Sequence, residues 1–149
     1  GSSWQIDFHP FKDEPFTVRT KDLFEFGGHR DRRIATFAGQ AIYHTDFNLQ
    51  ETGWAFLDLG IEKQVTEVKI NGKDIGLKWW GRHLYQIPEG TLKEGENQLE
   101  ITYTTTLANY ANALTGNDVA KRWINLSRPD PMGLSHGARL LKALPASGQ

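Results

Sequence analysis

The chain reads as an all-β protein, an antiparallel two-sheet jelly-roll sandwich, and three observations carry that expectation. Apolar residues alternate with polar ones over several short stretches, as in Trp4-Gln-Ile-Asp-Phe-His9 and in Ala41, Tyr43, Thr45, Phe47 and Leu49, which is the period of a half-buried strand. Turn-forming residues recur between these stretches at intervals typical of sandwiches. Helical periodicity is scarce, its best example being Leu107, Tyr110 and Leu114 at i, i+3 and i+7 before Gly116-Asn117, a pairing that would end a helix.

Taken in order, Trp4, Ile6 and Phe8 fall on one face of a first strand that Pro10 stops. Residues 11–21 carry Pro15 and mixed charge and read as a connection crossing the sandwich edge, with Leu23-Phe-Glu-Phe26 a further short strand before Gly27-Gly28. That glycine pair lacks the remaining glycines and the Lys-Ser/Thr of a phosphate loop. A short apolar run follows in Trp54, Phe56, Leu57 and Leu59, then Val65, Val68 and Ile70 among Thr66, Glu67 and Lys69. Asn71-Gly72 closes a hairpin, because both residues tolerate the positive φ that a type I′ turn demands. Gly76 is expected to end the return strand, and Ile87 to Tyr103 to hold another turn and strand. After a long irregular stretch, residues 138–144 form one more strand-like run. A jelly roll closes its edges when the first and last strands pair within its sheets, so residues 4–8 and 138–141 belong to one sandwich as near neighbours. The inward set comprises Trp4, Ile6, Tyr43, Phe47, Leu57, Val68, Ile70, Leu99, Ile101 and Leu140.

The 149 residues suit one domain over 4–144, with Gly1-Ser-Ser3 an expression scar and 145–149 a flexible tail. There is no Cys, hence no disulfide and no thiolate metal site. With 17 Lys plus Arg against 18 Asp plus Glu, there is no basic field for nucleic acid. The cluster His29-Arg-Asp-Arg-Arg33 is interrupted by an acid and reads as a solvated loop. No window approaches the roughly 20 apolar residues of a membrane helix.

Catalytic chemistry finds little footing. Glycoside hydrolysis needs two carboxylates roughly 5 to 9.5 Å apart, but Asp58, Asp74, Glu67, Glu100 and Asp130 sit by turns, on outward strand positions or between prolines, where acids are mostly solvated. The five histidines make no H-E-x-x-H, and no serine stands in a G-x-S-x-G elbow. No cofactor or metal is implied, a calcium loop included.

Recognition remains. Sugars present hydroxyls and apolar C–H faces, so an aromatic platform beside fixed polar groups suits them. Lys78-Trp-Trp-Gly-Arg-His83 is the leading candidate, with one of Trp79 and Trp80 facing out and Arg82 and His83 as donors. Asn109 with Tyr110, and Trp123, are further carbohydrate-binding candidates. Packing against the sandwich or a neighbouring domain is the competing account of each.

Leu57-Asp-Leu-Gly60, Val65-Thr-Glu-Val-Lys-Ile-Asn-Gly72, Ile75-Gly76 and Leu92-Lys-Glu-Gly-Glu-Asn-Gln-Leu-Glu-Ile101 together resemble the sugar-binding, galactose-binding-domain-like sandwiches attached to glycoside hydrolases. Such domains include the sugar-binding domain of glycoside hydrolase family 2. Residues 33–47 resemble the first long strand of these domains. Pro131-Met-Gly-Leu-Ser-His-Gly-Ala-Arg-Leu140 resembles the closing segment of the C-terminal domain of the α-L-rhamnosidases of glycoside hydrolase family 106, from which Met132, Ser135, His136, Gly137 and Ala138 depart. The rhamnosidase-type domains carry a Trp near residue 79 but follow it with a Pro-Pro turn absent here. The resemblance implies a non-catalytic carbohydrate-binding-like accessory domain, with catalytic carboxylates on a separate barrel of the same parent chain. Its partners would be a mono- or oligosaccharide and that catalytic domain, in the periplasm or outside the cell. A free-standing carbohydrate-binding module and a small glycoside hydrolase in its own right are the alternatives.

Overall fold

The computed structural model of the protein describes residues 3–61, 64–79, 81–105 and 137–144. Among the described residues, nine strands and one helical turn follow in the order β1 (Trp4–Pro10), β2 (Phe16–Thr20), α1 (Arg32–Ala35), β3 (Gly39–Leu49), β4 (Phe56–Asp58), β5 (Val65–Ile70), β6 (Lys73–Lys78), β7 (Leu84–Gln86), β8 (Gly95–Thr104) and β9 (Arg139–Leu141). A six-stranded sheet runs β2-β1-β3-β8-β5-β6 and a three-stranded sheet runs β7-β4-β9, with every pairing antiparallel. The two sheets form the expected antiparallel jelly-roll sandwich.

Register explains the core. Cross-strand partners share a face, so the large sheet buries residues in rows: Ile6, Tyr43, Ile101 and Val68 in one, Phe8, Ala41, Tyr103 and Thr66 in the next. A third row holds Trp4, Thr45, Leu99 and Ile70. The rows on the opposite face are polar, as in Gln5, His44, Glu100 and Lys69. Of the ten expected inward residues, Ile6, Tyr43, Leu57, Val68, Ile70, Leu99 and Ile101 are buried, and Trp4, Phe47 and Leu140 pack against them half-buried.

Asn71 at φ 52° and Gly72 at φ 79° turn β5 into β6, with Ile70 paired to Lys73, as a type I′ hairpin requires. A Cβ at Gly72 meets nothing within 4 Å. Gly72→Val therefore tests backbone strain alone, and about 1–3 kcal/mol of stability should be lost in a denaturant titration. An unchanged midpoint would refute the strain.

Several elements differ from expectation. Residues 16–20 form the edge strand β2 rather than a crossing connection, because Phe16 and Val18 alternate inward beside β1. Leu23 to Phe26 is not a strand. Phe26 turns in to meet Phe8 at 5.3 Å, Phe37 at 5.7 Å and Tyr103 at 6.0 Å, which holds that segment as a loop. The long strand begins at Gly39 and not near residue 33, since the Asp31 carboxylate accepts from Arg33 N–H and caps the turn α1. Gly76 lies inside β6, where the register shift leaves Ile75 as the extra residue of a bulge. β9 spans three residues, and Leu144 beyond it is exposed. Strands β1 and β9 belong to one sandwich as expected but lie in different sheets, β1 between β2 and β3 and β9 beside β4. The helix expected near residue 107 lies outside the described residues.

Candidate functional site

Two regions concern function, the segment after β6 and a cleft between the sheets. In the first, Trp79 faces out while Arg82 and His83 turn to partners within the fold. Trp79 is 65% exposed, whereas Trp80, Asn109, Tyr110 and Trp123 lie outside the described residues.

His83 is a correction, for it is fully buried and cannot serve as a surface donor. Its backbone ties Ile61 to Leu59, His83 N–H donating to Ile61 O at 2.9 Å and Leu59 N–H to His83 O at 3.1 Å. Those bonds draw the ring inward, where Nδ1 stands 2.7 Å from Thr66 Oγ1 and Nε2 has no hydrogen-bond partner among the described residues. Tyr85 completes the network, its hydroxyl 2.6 Å from Thr66 Oγ1 and donating to Thr66 O at 2.8 Å. Burial, helped by the Lys78 charge, lowers the His83 pKa below the ordinary 6.5, and burial raises that of Tyr85.

Above pH 6.5 the imidazole is neutral folded and unfolded; below it only the unfolded chain takes the proton until the depressed folded-state pKa is reached. Stability should fall as pH drops through this window, by up to about 1.4 kcal/mol per pH unit from this group. Denaturant titrations between pH 7 and 5 should show His83→Gln with a flatter slope than the parent. Parallel profiles would exclude the assignment.

Asp58 is the second correction, since it is 1% exposed rather than solvated. Arg82 Nη2 donates to its Oδ2 at 2.6 Å, Arg139 donates to the same oxygen through Nε at 3.2 Å and Nη2 at 3.0 Å, and Gly60 N–H donates to Oδ1 at 2.9 Å. Burial alone would raise the carboxyl pKa, but Arg82, Gly60 and Arg139 outweigh it and hold the group below the usual range. Arg82 is thus committed to a structural ion pair that links the segment before β7 to β4 and β9. The other described acids fit the expected account: Glu67 and Asp74 are exposed, Asp74 accepting from Gly76 N–H at 3.0 Å, and Glu100 faces His44 at 3.6 Å on the outer sheet. Asp130 lies outside the described residues.

The cleft was not foreseen. It measures about 330 Å³ and opens where the sheets part over the row Trp4, Thr45, Leu99 and Ile70. Leu57 and Leu140 wall it from the small sheet, with Phe47, Trp54 and Ala138 completing the lining. Its one hydroxyl, on Thr45, donates to Ser3 O at 2.8 Å. Beside Trp54, the Lys142 ammonium sits 5.0 Å from the ring centroid and pairs with Glu51. Trp4 on β1 and Trp54 just before β4 lie 50 residues apart in the sequence, and the fold brings them to the same cleft. A groove of similar size on the outer face is polar, with His44, Asp46, Lys69, Gln98 and Glu100 among its residues. There His44 Nε2 is 3.1 Å from Asp7 Oδ2.

No protein-family model matches the chain, and no curated protein matches it. Solved structures do. A rhamnosidase from Novosphingobium sp. PP1Y superposes with a TM-score of 0.72 at 24% identity over 93% of this chain, which spans 14% of that protein. A β-glucuronidase from Ruminococcus gnavus, solved with D-glucuronic acid, superposes with a TM-score of 0.54 at 18% identity over 69% of this chain and 21% of its own. The same enzyme without ligand gives a TM-score of 0.53. The fold is that of one part of such enzymes.

Proposed function

We propose that the chain is a non-catalytic accessory domain of a larger glycoside hydrolase, rhamnosidase-like, which contributes sugar contacts or packing to a separate catalytic domain. The observation that carries this reading is the superposition of nearly the whole chain on only 14% of the rhamnosidase. The electrostatics agree. A general acid in glycoside hydrolysis needs a raised pKa, while Asp58, the one buried carboxylate among the described residues, is held low by two guanidiniums. Its partners in this reading are a carbohydrate and the parent's catalytic domain, in a periplasmic or extracellular setting.

The test is an assay of the purified chain on aryl α-L-rhamnosides and aryl β-D-glucuronides, together with the reading frame around the coding segment. No turnover is expected, and the frame should continue into a catalytic barrel. Turnover above background that tracks the purified protein would overturn the assignment.

A further inference from the structure

Asn71-Gly72 is the one Asn-Gly pair in the sequence, and such a pair carries a chemistry besides turn formation. Glycine has no Cβ to shield its backbone nitrogen, so in an unfolded chain the Gly72 nitrogen can reach the carbonyl carbon of the Asn71 side chain. In the folded protein the Asn71 amide is fully engaged. Its Nδ2 donates to Thr91 O and to Asn97 Oδ1, both at 2.9 Å, and its Oδ1 accepts from Gln98 N–H at 2.8 Å. Asn97, itself fully buried, is fixed in turn. Its Oδ1 accepts from Lys93 N–H at 3.0 Å, and its Nδ2 donates to Lys93 O at 2.8 Å and to Gly95 O at 3.2 Å. All these partners stand on β8 or on the loop leading into it. Around Gly72, by contrast, nothing lies within 4 Å of where a Cβ would stand, so the shield is the Asn71 amide's own bonding.

We propose that Asn71 is a latent site of covalent modification, locked while the β5–β6 turn is docked against β8 and the loop before it, and released when the turn undocks. Once free, the Gly72 nitrogen attacks Asn71 Cγ. A nitrogen–carbon bond forms, the bond from Cγ to Nδ2 breaks, and ammonia leaves with the proton that Gly72 gives up. Water then opens the cyclic imide at either carbonyl, leaving an aspartyl or an isoaspartyl residue. Neither product fits the docked turn. An ionised carboxyl only accepts hydrogen bonds, so it would set an oxygen against Thr91 O and Asn97 Oδ1. Asn97 cannot flip to compensate, because its Nδ2 would then face Lys93 N–H. The isoaspartyl form also adds a backbone carbon to a turn whose geometry is set by two residues. The modification thus turns a reversible opening into an irreversible one.

The test incubates the whole chain in native buffer and in urea above its unfolding midpoint, at one mildly alkaline pH and one temperature, and follows each asparagine by peptide mapping with mass spectrometry. In urea, residue 71 should convert before the other six asparagines. In native buffer it should convert at least about tenfold more slowly than in urea. Equal rates in the two solvents overturn the lock, and earlier conversion of another asparagine in urea overturns the site. Asn97→Ala removes an acceptor from the Asn71 amide without touching the reacting atoms. In a variant that stays folded by circular dichroism the native-buffer rate should rise severalfold, and an unchanged rate overturns the lock; if the variant does not fold, the two rates of the parent chain decide alone. A urea-aged sample is then diluted into native buffer, and the refolded and unrefolded fractions are mapped separately. Product at residue 71 should be concentrated in the unrefolded fraction, and an even distribution overturns the irreversibility.

Discussion

Gly39→Ala is expected to cost more than about 4 kcal/mol, the range reserved for severe backbone conflicts. Gly39 has φ 153°, a conformation L side chains rarely adopt, and an added Cβ would lie 2.3 Å from His9 O and 2.8 Å from Pro10 Cα. Both obstacles are backbone atoms of β1, where His9 pairs with Gln40 and Pro10 with Gly39 itself, so stepping away breaks the β1–β3 ladder. Gly39 is itself pinned, its N–H donating to Thr105 Oγ1 at 2.9 Å while its carbonyl accepts from Thr105 N–H at 3.0 Å. For a domain of this size each kcal/mol moves the melting temperature by roughly 3 °C, so a drop above about 10 °C is expected in a thermal scan. A shift under 3 °C would show that β1 and β3 can separate at this point.

The second large effect is at Asp58. Asn is nearly isosteric there but carries no charge, leaving two guanidiniums facing a neutral amide whose nitrogen, itself a donor, must point at the Gly60 N–H or at the arginines. Removing one partner of a fully buried pair typically costs 3–5 kcal/mol. Here the expected loss is smaller, about 2–3 kcal/mol, because the Arg139 side chain is 63% exposed and can regain water. Arg139→Ala should therefore cost less than Asp58→Asn in the same urea titration. If Arg139→Ala matched or exceeded it, the carboxylate would not be the centre of the cluster.

What the sequence disclosed follows the range of each interaction. Asn71-Gly72 was legible because a type I′ turn is specified by the two residues that occupy it. The inward faces of β1, β3, β5 and β8 were legible because alternation is local and burial in a sandwich repeats it. Asp58 was misjudged because its partners stand 24 and 81 residues away, so the acid beside a turn looked solvated until the register brought Arg82 and Arg139 to it. His83 failed for a related reason: it was expected as a donor with Arg82 beside an outward Trp, yet the backbone bonds to Ile61 and Leu59 turn the imidazole inward while Trp79 faces out. The cleft could not be found at all from local pattern. β2 was hidden behind Pro15 and the charged residues 12–14, although the Phe16, Val18 alternation was present.

The small sheet has a consequence for the order of assembly. β4 takes one neighbour from nearby, pairing Leu57 with Tyr85, and the other from far away, pairing Leu57 with Leu140. As the chain leaves the ribosome, the large sheet has all six of its strands once Thr104 has emerged, but the small sheet remains a two-stranded ribbon until Arg139 follows. Isolated ribbons of two strands are marginal in water, and closing a loop of some 80 residues carries an entropic cost that near-neighbour contacts avoid. The same late arrival supplies the second guanidinium to Asp58 and the Leu140 wall to the cleft. During synthesis, arrival of the second guanidinium at the buried charge and completion of the concave surface are thus a single event, set by when one short strand emerges.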